Sequence, residues 1–230
     1  MKPELVVALD FPEAKEALAL ADKLQGVVSW MKVGLELFTA TGPRIVSDLK
    51  ERGFRVFLDL KFHDIPNTVQ GAAKSAANLG SDLITLHHAG GKLMAQAALR
   101  GVMEAAHPSL IFAVSILTSA GPEDAGFRDA ASVTAAVAAK AREAEDWGLS
   151  GIVCAGAEAA AVKAACGANF LRLCPGIRMA DGVADDQKRV MTPAQAIAAG
   201  ADFLVMGRPI TRANDPRGAA LNVLENMASA

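Results

Sequence analysis

The chain has 230 residues, of which 52% are hydrophobic, and a formal net charge of -2. This composition excludes a globally disordered chain, and the absence of any run of Lys and Arg argues against a nucleic-acid-binding surface. The first apolar segment is too short for a signal peptide, and no stretch reaches the roughly 18–20 residues of a membrane helix, so we expect a cytoplasmic protein without a membrane or nucleic-acid partner.

Short, nearly continuous apolar runs alternate with Ala-rich amphipathic segments along the chain. Runs that are apolar on both faces are typical of parallel strands covered by helices. In chain order, the predicted strands are Leu5–Leu9, Trp30–Leu35, Arg55–Leu60, Leu83–His87, Leu110–Leu117, Gly151–Ala155, Phe170–Cys174 and Phe203–Met206. The predicted helices are Pro12–Leu24, Thr41–Arg52, Pro66–Leu79, Gly91–Ala106, Ala131–Trp147, Ala157–Ala165, Thr192–Ala199 and Pro216–Met227.

A strand followed by a helix, repeated along the chain, predicts an α/β protein with a (β/α)8 barrel fold. The alternative is an open, doubly wound sheet. We favour the barrel because polar residues follow several different strands, and in a barrel these positions converge on one mouth. No linker or long repeat divides the sequence, so we expect residues 1–230 to form a single domain.

Charged residues around the first three predicted strands form the candidate catalytic site. Asp59 and Lys61 are two apart on the third strand, so their side chains should point to the same side, with Asp64 in the following loop. Asp10 ends the first strand and Lys32 lies within the second. A structural ion pair is the alternative, but charges facing a barrel interior near its C-terminal end are usually functional. Such an alternating set suits a proton donor beside a developing negative charge.

The ends of the last two predicted strands indicate a phosphate site. The segment Pro175–Arg178 follows the seventh strand, and Met206–Ile210, with Gly207 and Arg208, follows the eighth. Barrels frequently bind phosphate there through backbone N–H groups at the start of a short helix, and arginine adds a forked donor. Between the two lies a polar stretch, 178–190, that could close over a ligand as a lid.

Other polar residues near strand ends give weaker indications of a binding or metal site. Thr118 ends the fifth predicted strand, where a hydroxyl could bond a heterocycle edge, although an ordinary loop residue is equally consistent with the sequence. His87 and His88 are adjacent on a strand and should face opposite ways, so they do not predict a metal pair. The three cysteines lack the spacing of a zinc site and are interpreted as small apolar side chains: Cys154, Cys166 and Cys174.

These residues resemble the orotidine 5′-phosphate decarboxylase family of the bacterial type over nearly the whole chain. A DxKxxD pattern alone is shared with relatives of different chemistry, whereas its extension to DIPNT and the order of the other segments are more specific. The segments that carry the resemblance are Val7–Asp10, Lys32–Gly34, Asp59–Thr68, Leu117–Ser119, Pro175–Arg178 and Gly207–Ile210.

The resemblance implies a homodimeric barrel that converts orotidine 5′-phosphate to uridine 5′-phosphate (UMP) and carbon dioxide without a cofactor or a metal, the last step of de novo UMP synthesis. It implies that Lys61 is the proton donor and that Asp59 lies against the substrate carboxylate. The remaining implied roles are ribose contacts for Asp10 and Lys32, contributions across the dimer interface for Asp64 and Thr68, a pyrimidine contact for Thr118, and phosphate or lid contacts for Arg178, Gln187, Gly207 and Arg208.

Two details depart from the family pattern. His88 stands where the family often has alanine, and the chain has no tyrosine, whereas some members place a lid tyrosine on the phosphate. Two rival functions stay open at this point. A metal-dependent barrel enzyme acting on a sugar phosphate, such as a hexulose-phosphate synthase or a pentulose-phosphate epimerase, is disfavoured by the DIPNT and LTS segments. A non-catalytic nucleotide-binding barrel has little need for a lysine between carboxylates.

Overall fold

The computed structural model describes residues 2–179 and 191–230. Eight parallel strands in these ranges form a closed barrel in which each strand pairs with the next and the last pairs with the first. The strands are β1 Glu4–Ala8, β2 Trp30–Gly34, β3 Arg55–Phe62, β4 Leu83–His87, β5 Leu110–Val114, β6 Gly151–Val153, β7 Leu171–Pro175 and β8 Phe203–Met206. The predicted (β/α)8 barrel is therefore confirmed, and the open sheet is excluded.

Helices alternate with the strands, close to the predicted positions. They are α1 Ala14–Leu24, α2 Leu35–Thr41, α3 Arg44–Glu51, α4 Pro66–Asn78, α5 Gly91–Met103, α6 Ala130–Asp146, α7 Ala159–Ala165, α8 Pro193–Ala198, α9 Arg208–Thr211 and α10 Pro216–Ala228. The sequence analysis had no helix at α2, because this short segment buries only Leu37 and so lacks a full amphipathic period. None of the helices in the described ranges is long and apolar enough to cross a membrane.

The barrel interior is filled from alternate strand positions. Trp30, Phe57 and Phe203 belong to an apolar layer at the N-terminal end, where the Trp30 and Phe203 rings meet edge to face at 5.3 Å. Because residues two apart share a strand face, the next interior positions toward the C-terminal mouth are Lys32 on β2 and Asp59 on β3. The aromatic layer thus closes the floor beneath these charges.

The opposite strand faces pack against the helices and form the larger core. Leu58, Ile84, Ile111, Ile152 and Leu204 are among its fully buried members. Burial on both faces explains why the strands are nearly continuous apolar runs. Polar side chains at interior positions are therefore exceptions that require a chemical reason.

Several strand ends differ from the predicted ones, and two of these differences move predicted site residues into loops. β5 ends at Val114 rather than Leu117, because the Ser115 hydroxyl bonds to the Val153 carbonyl at 2.8 Å and the chain then turns. Thr118 therefore lies in the loop after β5 and does not end a strand. Asp10 likewise lies beyond β1, which ends at Ala8, and its carboxylate contacts Lys32 Nζ at 2.8 Å.

Candidate active site

Alternating charges from the first three strands meet at the C-terminal mouth of the barrel. Lys61 Nζ lies 2.8 Å from Asp59 Oδ2, and Lys32 Nζ lies 2.8 Å from Asp10 Oδ1. Lys32 Nζ also lies 3.8 Å from Asp59 Oδ2, so the two pairs form one network. The side chains of Lys32 and Asp59 are only 11% and 13% exposed, and burial at this level is tolerated because each charge faces an opposite one.

Simple strand alternation does not fully explain how Asp59 and Lys61 meet. Lys61 has a φ of 51°, the only positive φ among the non-glycine residues that the structure describes. The pairing of β3 with β4 also shifts register between Leu58 and Phe62. The predicted common side is therefore confirmed by the ion pair, but a bulge and a left-handed backbone at Lys61 produce it.

Asp64 and Thr68 lie apart from this network within the chain. Both are exposed, and the Asp64 carboxylate accepts a hydrogen bond from the Ile65 N–H at 2.6 Å. Asp64 makes no ion pair with any residue in the described ranges, so the predicted five-member charge set is a four-member network plus one separate carboxylate. Asp64 and Thr68 line a neighbouring depression of about 430 Å³ that also includes Lys61.

His87 lies between the network and this depression. Its ring centroid is 5.3 Å from that of His63. Burial lowers the pKa of His87, and the nearby His63 and Lys61 lower it further, while Asp59 acts in the opposite direction. The lowered pKa of His87 therefore favours the neutral imidazole near pH 7.

An apolar wall faces the charge network across a cavity of about 190 Å³. Lys32, Asp59 and Lys61 form one side of the cavity and Thr118 lies on its lining, 9% exposed. The other side consists of apolar residues from β5 to β8 and the β5–α6 loop, including Val114, Ile116, Val153, Leu173 and Val205. A wall of this kind lowers the effective dielectric constant around the charges and strengthens their interactions.

A second cavity, of about 550 Å³, adjoins the first and shares Lys32, Pro175 and Val205 with it. Three arginines that follow β7 and β8, Arg178, Arg208 and Arg212, belong to its lining together with Gly176 and Gly207. The acidic residues Asp10, Glu16 and Glu36 line the same cavity and offset part of this positive charge.

The residues of the predicted phosphate site, Arg178, Gly207 and Arg208, thus line one cavity, together with Arg212, which was not predicted from the sequence. Phosphate binding by these residues stays a prediction. Gly176 has a φ of 77°, a conformation that favours glycine and directs the chain toward Arg178. Gln187 and all of the predicted lid except Arg178 and Met179 fall within 180–190, outside the described residues, and their roles stay predictions.

The comparisons with known proteins decide the family. A model of the orotidine 5′-phosphate decarboxylase / HUMPS family matches residues 3–223. The chain belongs to this family. Two orotidine 5′-phosphate decarboxylases are similar throughout. That of Nitratidesulfovibrio vulgaris (strain DP4) is 52% identical, covering 98% of both chains, and that of Maridesulfovibrio salexigens is 50% identical, covering 98% of this chain and 99% of the relative.

Solved structures agree with this assignment to the decarboxylase family. The crystal structure of orotidine 5′-phosphate decarboxylase from Lactobacillus acidophilus matches with a TM-score of 0.85 and 32% identity, covering 99% of each chain. The match extends over the whole barrel, so the family is shared in fold as well as in sequence.

Two residues at the mouth of this decarboxylase-family barrel were missed in the sequence. Thr85 on β4 donates a hydrogen bond to Asp59 Oδ1 at 2.9 Å. The sequence feature that could have indicated Thr85 is a hydroxyl in an otherwise apolar strand. Thr85 lies two residues before His87 and therefore on the same face of β4. Gly34 lies opposite Asp59 on β2, and a Cβ there would lie 2.8 Å from Lys32 Nζ. A side chain at this position would therefore displace the ends of Lys32 and Asp10 from their present contact.

His88 and the cysteines lie outside the mouth. His88 is buried, stacks on Trp147 with centroids 4.6 Å apart, and places Nε2 3.0 Å from Glu143 Oε2. His88 follows β4 in a short 3₁₀ turn, 88–90, and is not on the strand as predicted, but its ring packs on α6 and not at the mouth. Cys154 and Cys174 are fully buried and their sulfurs are 4.0 Å apart, while partial burial raises the pKa of the Cys166 thiol to about 11.

Proposed function

We propose that this chain catalyses the decarboxylation of orotidine 5′-phosphate to UMP and carbon dioxide, the last step of de novo UMP synthesis. One observation carries the proposal. The charge network around Asp59 and Lys61 lines one cavity, three arginines line the cavity beside it, and the two cavities share Lys32. A nucleotide with a carboxylate on its base and a phosphate at its other end matches this separation of charge.

In the proposed reaction, Lys61 supplies the cation and then the proton. Breaking the carbon–carbon bond leaves its electron pair on a ring carbon that no carbonyl is positioned to delocalise. An ammonium near 4 Å contributes about 4 kcal/mol at an effective dielectric constant of about 20. The proton then moves from Lys61 Nζ to that carbon, and solvent restores the ammonium. The ion pair with Asp59 orients Nζ beforehand, which avoids reorientation during the reaction.

Asp59 is proposed to lie against the departing carboxylate. Its Oδ2 faces both lysines and its Oδ1 is bonded to Thr85, so the carboxylate cannot swing away without losing these contacts. Repulsion between two carboxylates would raise the ground-state free energy, and release of carbon dioxide would relieve it. The apolar wall opposite is a suitable surface for a neutral product.

Binding at the far end of the cleft is proposed to hold the substrate in place. Arg178, Arg208 and the backbone at Gly207 would hold the phosphate, with Gln187 as a lid contact. Asp10 and Lys32 would contact the ribose, and Thr118 would contact the pyrimidine edge. Binding energy from the phosphate, remote from the reacting carbon, would then favour assembly of the catalytic end.

We further propose that the active unit is a homodimer in the cytoplasm, without nucleic-acid, membrane or metal partners. Asp64 and Thr68 are exposed beside Lys61, as expected for residues that complete a neighbouring site. Large exposed apolar side chains also follow four consecutive strands at this end of the barrel, which is typical of a protein interface. They are Leu35, Ile65, Leu93 and Leu117.

The direct test is turnover in the presence of a strong chelator. Orotidine 5′-phosphate is added to chelator-treated protein, and loss of the orotate chromophore is followed by absorbance. We expect full conversion to UMP, because Lys61 and Asp59 provide the charge that a metal would otherwise supply. Binding of UMP without turnover would instead support a non-catalytic nucleotide-binding barrel, and turnover that requires added divalent metal would contradict the mechanism.

A further inference from the structure

Thr85 is a fully buried hydroxyl on the interior face of β4. Its Oγ1 makes two hydrogen bonds, and both lead to the catalytic pair on β3. It accepts from the backbone N–H of Lys61 at 3.1 Å and donates to Asp59 Oδ1 at 2.9 Å. A buried hydroxyl that is fully bonded to two neighbours fixes their relative positions.

The bulge in β3 explains why a side chain is needed at this point. Leu58 pairs with Ile84 and Phe62 pairs with Leu86, so three residues of β3 lie opposite the single residue Thr85. The regular register is therefore interrupted over Asp59 to Lys61. Within this interruption the Lys61 N–H donates to the Thr85 hydroxyl at 3.1 Å, so a side chain serves as the acceptor for this backbone group.

The direction of both hydrogen bonds follows from the donors available. A backbone N–H can only donate, so Thr85 Oγ1 must accept from Lys61. The single hydroxyl proton is then left for Asp59 Oδ1, an acceptor. The other oxygen of the same carboxylate, Oδ2, faces Lys61 Nζ at 2.8 Å. One hydroxyl thus anchors the backbone of Lys61 and, through Asp59, the end of its side chain.

We propose that Thr85 is a positioning residue that holds Lys61 in its left-handed backbone conformation and orients the Asp59 carboxylate toward Lys61 Nζ. A non-glycine residue at a φ of 51° is disfavoured unless its surroundings maintain it. The hydroxyl of Thr85 provides this support within the interrupted register of β3 and β4. Its kinetic consequence rests on the proposed decarboxylation, whereas its structural consequence does not.

The test compares Thr85→Val with Thr85→Ser. Valine keeps the shape but removes both hydrogen bonds, whereas serine keeps the hydroxyl. We expect Thr85→Val to lower kcat by roughly 10–100-fold, because small misplacements of a catalytic group have effects of that order. KM and the affinity for UMP should change little, since Thr85 does not line the arginine-rich cavity. Thr85→Ser should stay within about threefold of the unsubstituted protein in kcat.

Two further measurements separate positioning from a general loss of stability. Ile84→Val removes a methylene from the neighbouring residue on the opposite, helix-facing side of β4, and it should leave kcat unchanged. Hydrogen exchange at the Lys61 amide, measured by NMR, should accelerate at least tenfold in Thr85→Val relative to neighbouring β3 amides, and not in Thr85→Ser or Ile84→Val.

The outcomes are distinguishable. Unchanged exchange at Lys61 and unchanged kcat in Thr85→Val would overturn the positioning role. An equal loss of kcat in Ile84→Val would also overturn it, because the effect would then be one of stability. If the unsubstituted protein fails to convert orotidine 5′-phosphate but the Lys61 amide still responds to Thr85→Val, the proposed function fails and the structural role of Thr85 stands.

Discussion

At the scale of single residues, the site depends on charges that stabilise one another in a partly buried mouth. Asp59 is shared between Lys32 and Lys61, and Asp10 pairs with the far side of Lys32. Removing one member leaves its neighbour with an uncompensated charge, and the cost of such a loss generally exceeds the net contribution of the pair. Substitutions within the network should therefore show strongly non-additive effects.

Arg208 tests the phosphate end of the cleft. We expect Arg208→Ala to lower kcat/KM by about 100-fold or more, because the substitution removes a forked, charge-assisted contact to the phosphate. The binding energy of that contact would otherwise help to lower the barrier of the reaction. Added guanidinium should restore part of the rate by occupying the vacated space. Steady-state kinetics with and without guanidinium provide the measurement.

Arg44→Ala is the matched control for this substitution, because the Arg44 side chain is 87% exposed on α3, away from the cleft. It should have unchanged kinetics and no response to guanidinium. Unchanged kcat/KM in Arg208→Ala would rule out a phosphate role for Arg208.

The residue-level site was predictable where charge stood out against an apolar strand. Asp59, Lys61 and Lys32 were visible for that reason, and Arg208 because it follows the last strand. The hydroxyl of Thr85 stood out in an apolar strand, but its role could not be predicted, because that role depends on the shifted register between β3 and β4. Such a bulge arises from pairing across the barrel, and no local pattern around Lys61 indicates it.

At the scale of elements, the barrel was predictable because strands buried on both faces give short apolar runs separated by amphipathic helices. The residues at which strands and helices end were harder to predict from the sequence. β5 was predicted too long because Ile116 and Leu117 continue the apolar run, although Leu117 is 49% exposed in the structure. The Leu117 side chain lines the cavity at the barrel mouth and is not part of a buried strand.

Helix packing provides a prediction at this scale, since α4 and α5 are in close contact at Gly101. A Cβ at Gly101 would collide with the backbone carbonyl of Gln70 and lie 3.1 Å from the Lys74 N–H. The backbone of α4 cannot move aside as a flexible side chain can, so the added methyl group would push the two helices apart. Gly101→Ala should therefore lower the free energy of unfolding by about 1–3 kcal/mol.

Gly71 on α4 provides the matched comparison, because it has open space where a Cβ would stand. Gly71→Ala should raise the free energy of unfolding by about 0.5–1 kcal/mol, through the better helix propensity of alanine. Denaturant unfolding of both variants is the measurement. Equal effects of the two substitutions would contradict the close packing of α4 on α5.

At the scale of the whole molecule, the single-chain site lacks a second carboxylate beside Lys61, since Asp64 makes no ion pair among the described residues of its own chain. If Asp64 acts across a dimer, mixing Lys61→Ala with Asp64→Asn should restore activity. Each mixed dimer would have one intact site and one doubly defective site, so random mixing should recover about a quarter of normal activity.

Lys61→Ala mixed with Lys32→Ala is the control for this complementation. Both residues belong to the same barrel mouth, so every site in a mixed dimer would retain one defect and activity should stay absent. Turnover after refolding of the mixed chains is the measurement. Failure of the Lys61→Ala and Asp64→Asn mixture to recover activity would contradict a shared site.

The most direct test of the central claim is the decarboxylation rate of Lys61→Ala with orotidine 5′-phosphate, measured together with its affinity for UMP. Lys74→Ala serves as the control, because Lys74 pairs with Glu104 on the surface of the helices. The account predicts that Lys61→Ala nearly abolishes turnover while UMP binding stays measurable, and that Lys74→Ala matches the unsubstituted protein. Substantial turnover by Lys61→Ala would contradict the assignment of Lys61 as the proton donor.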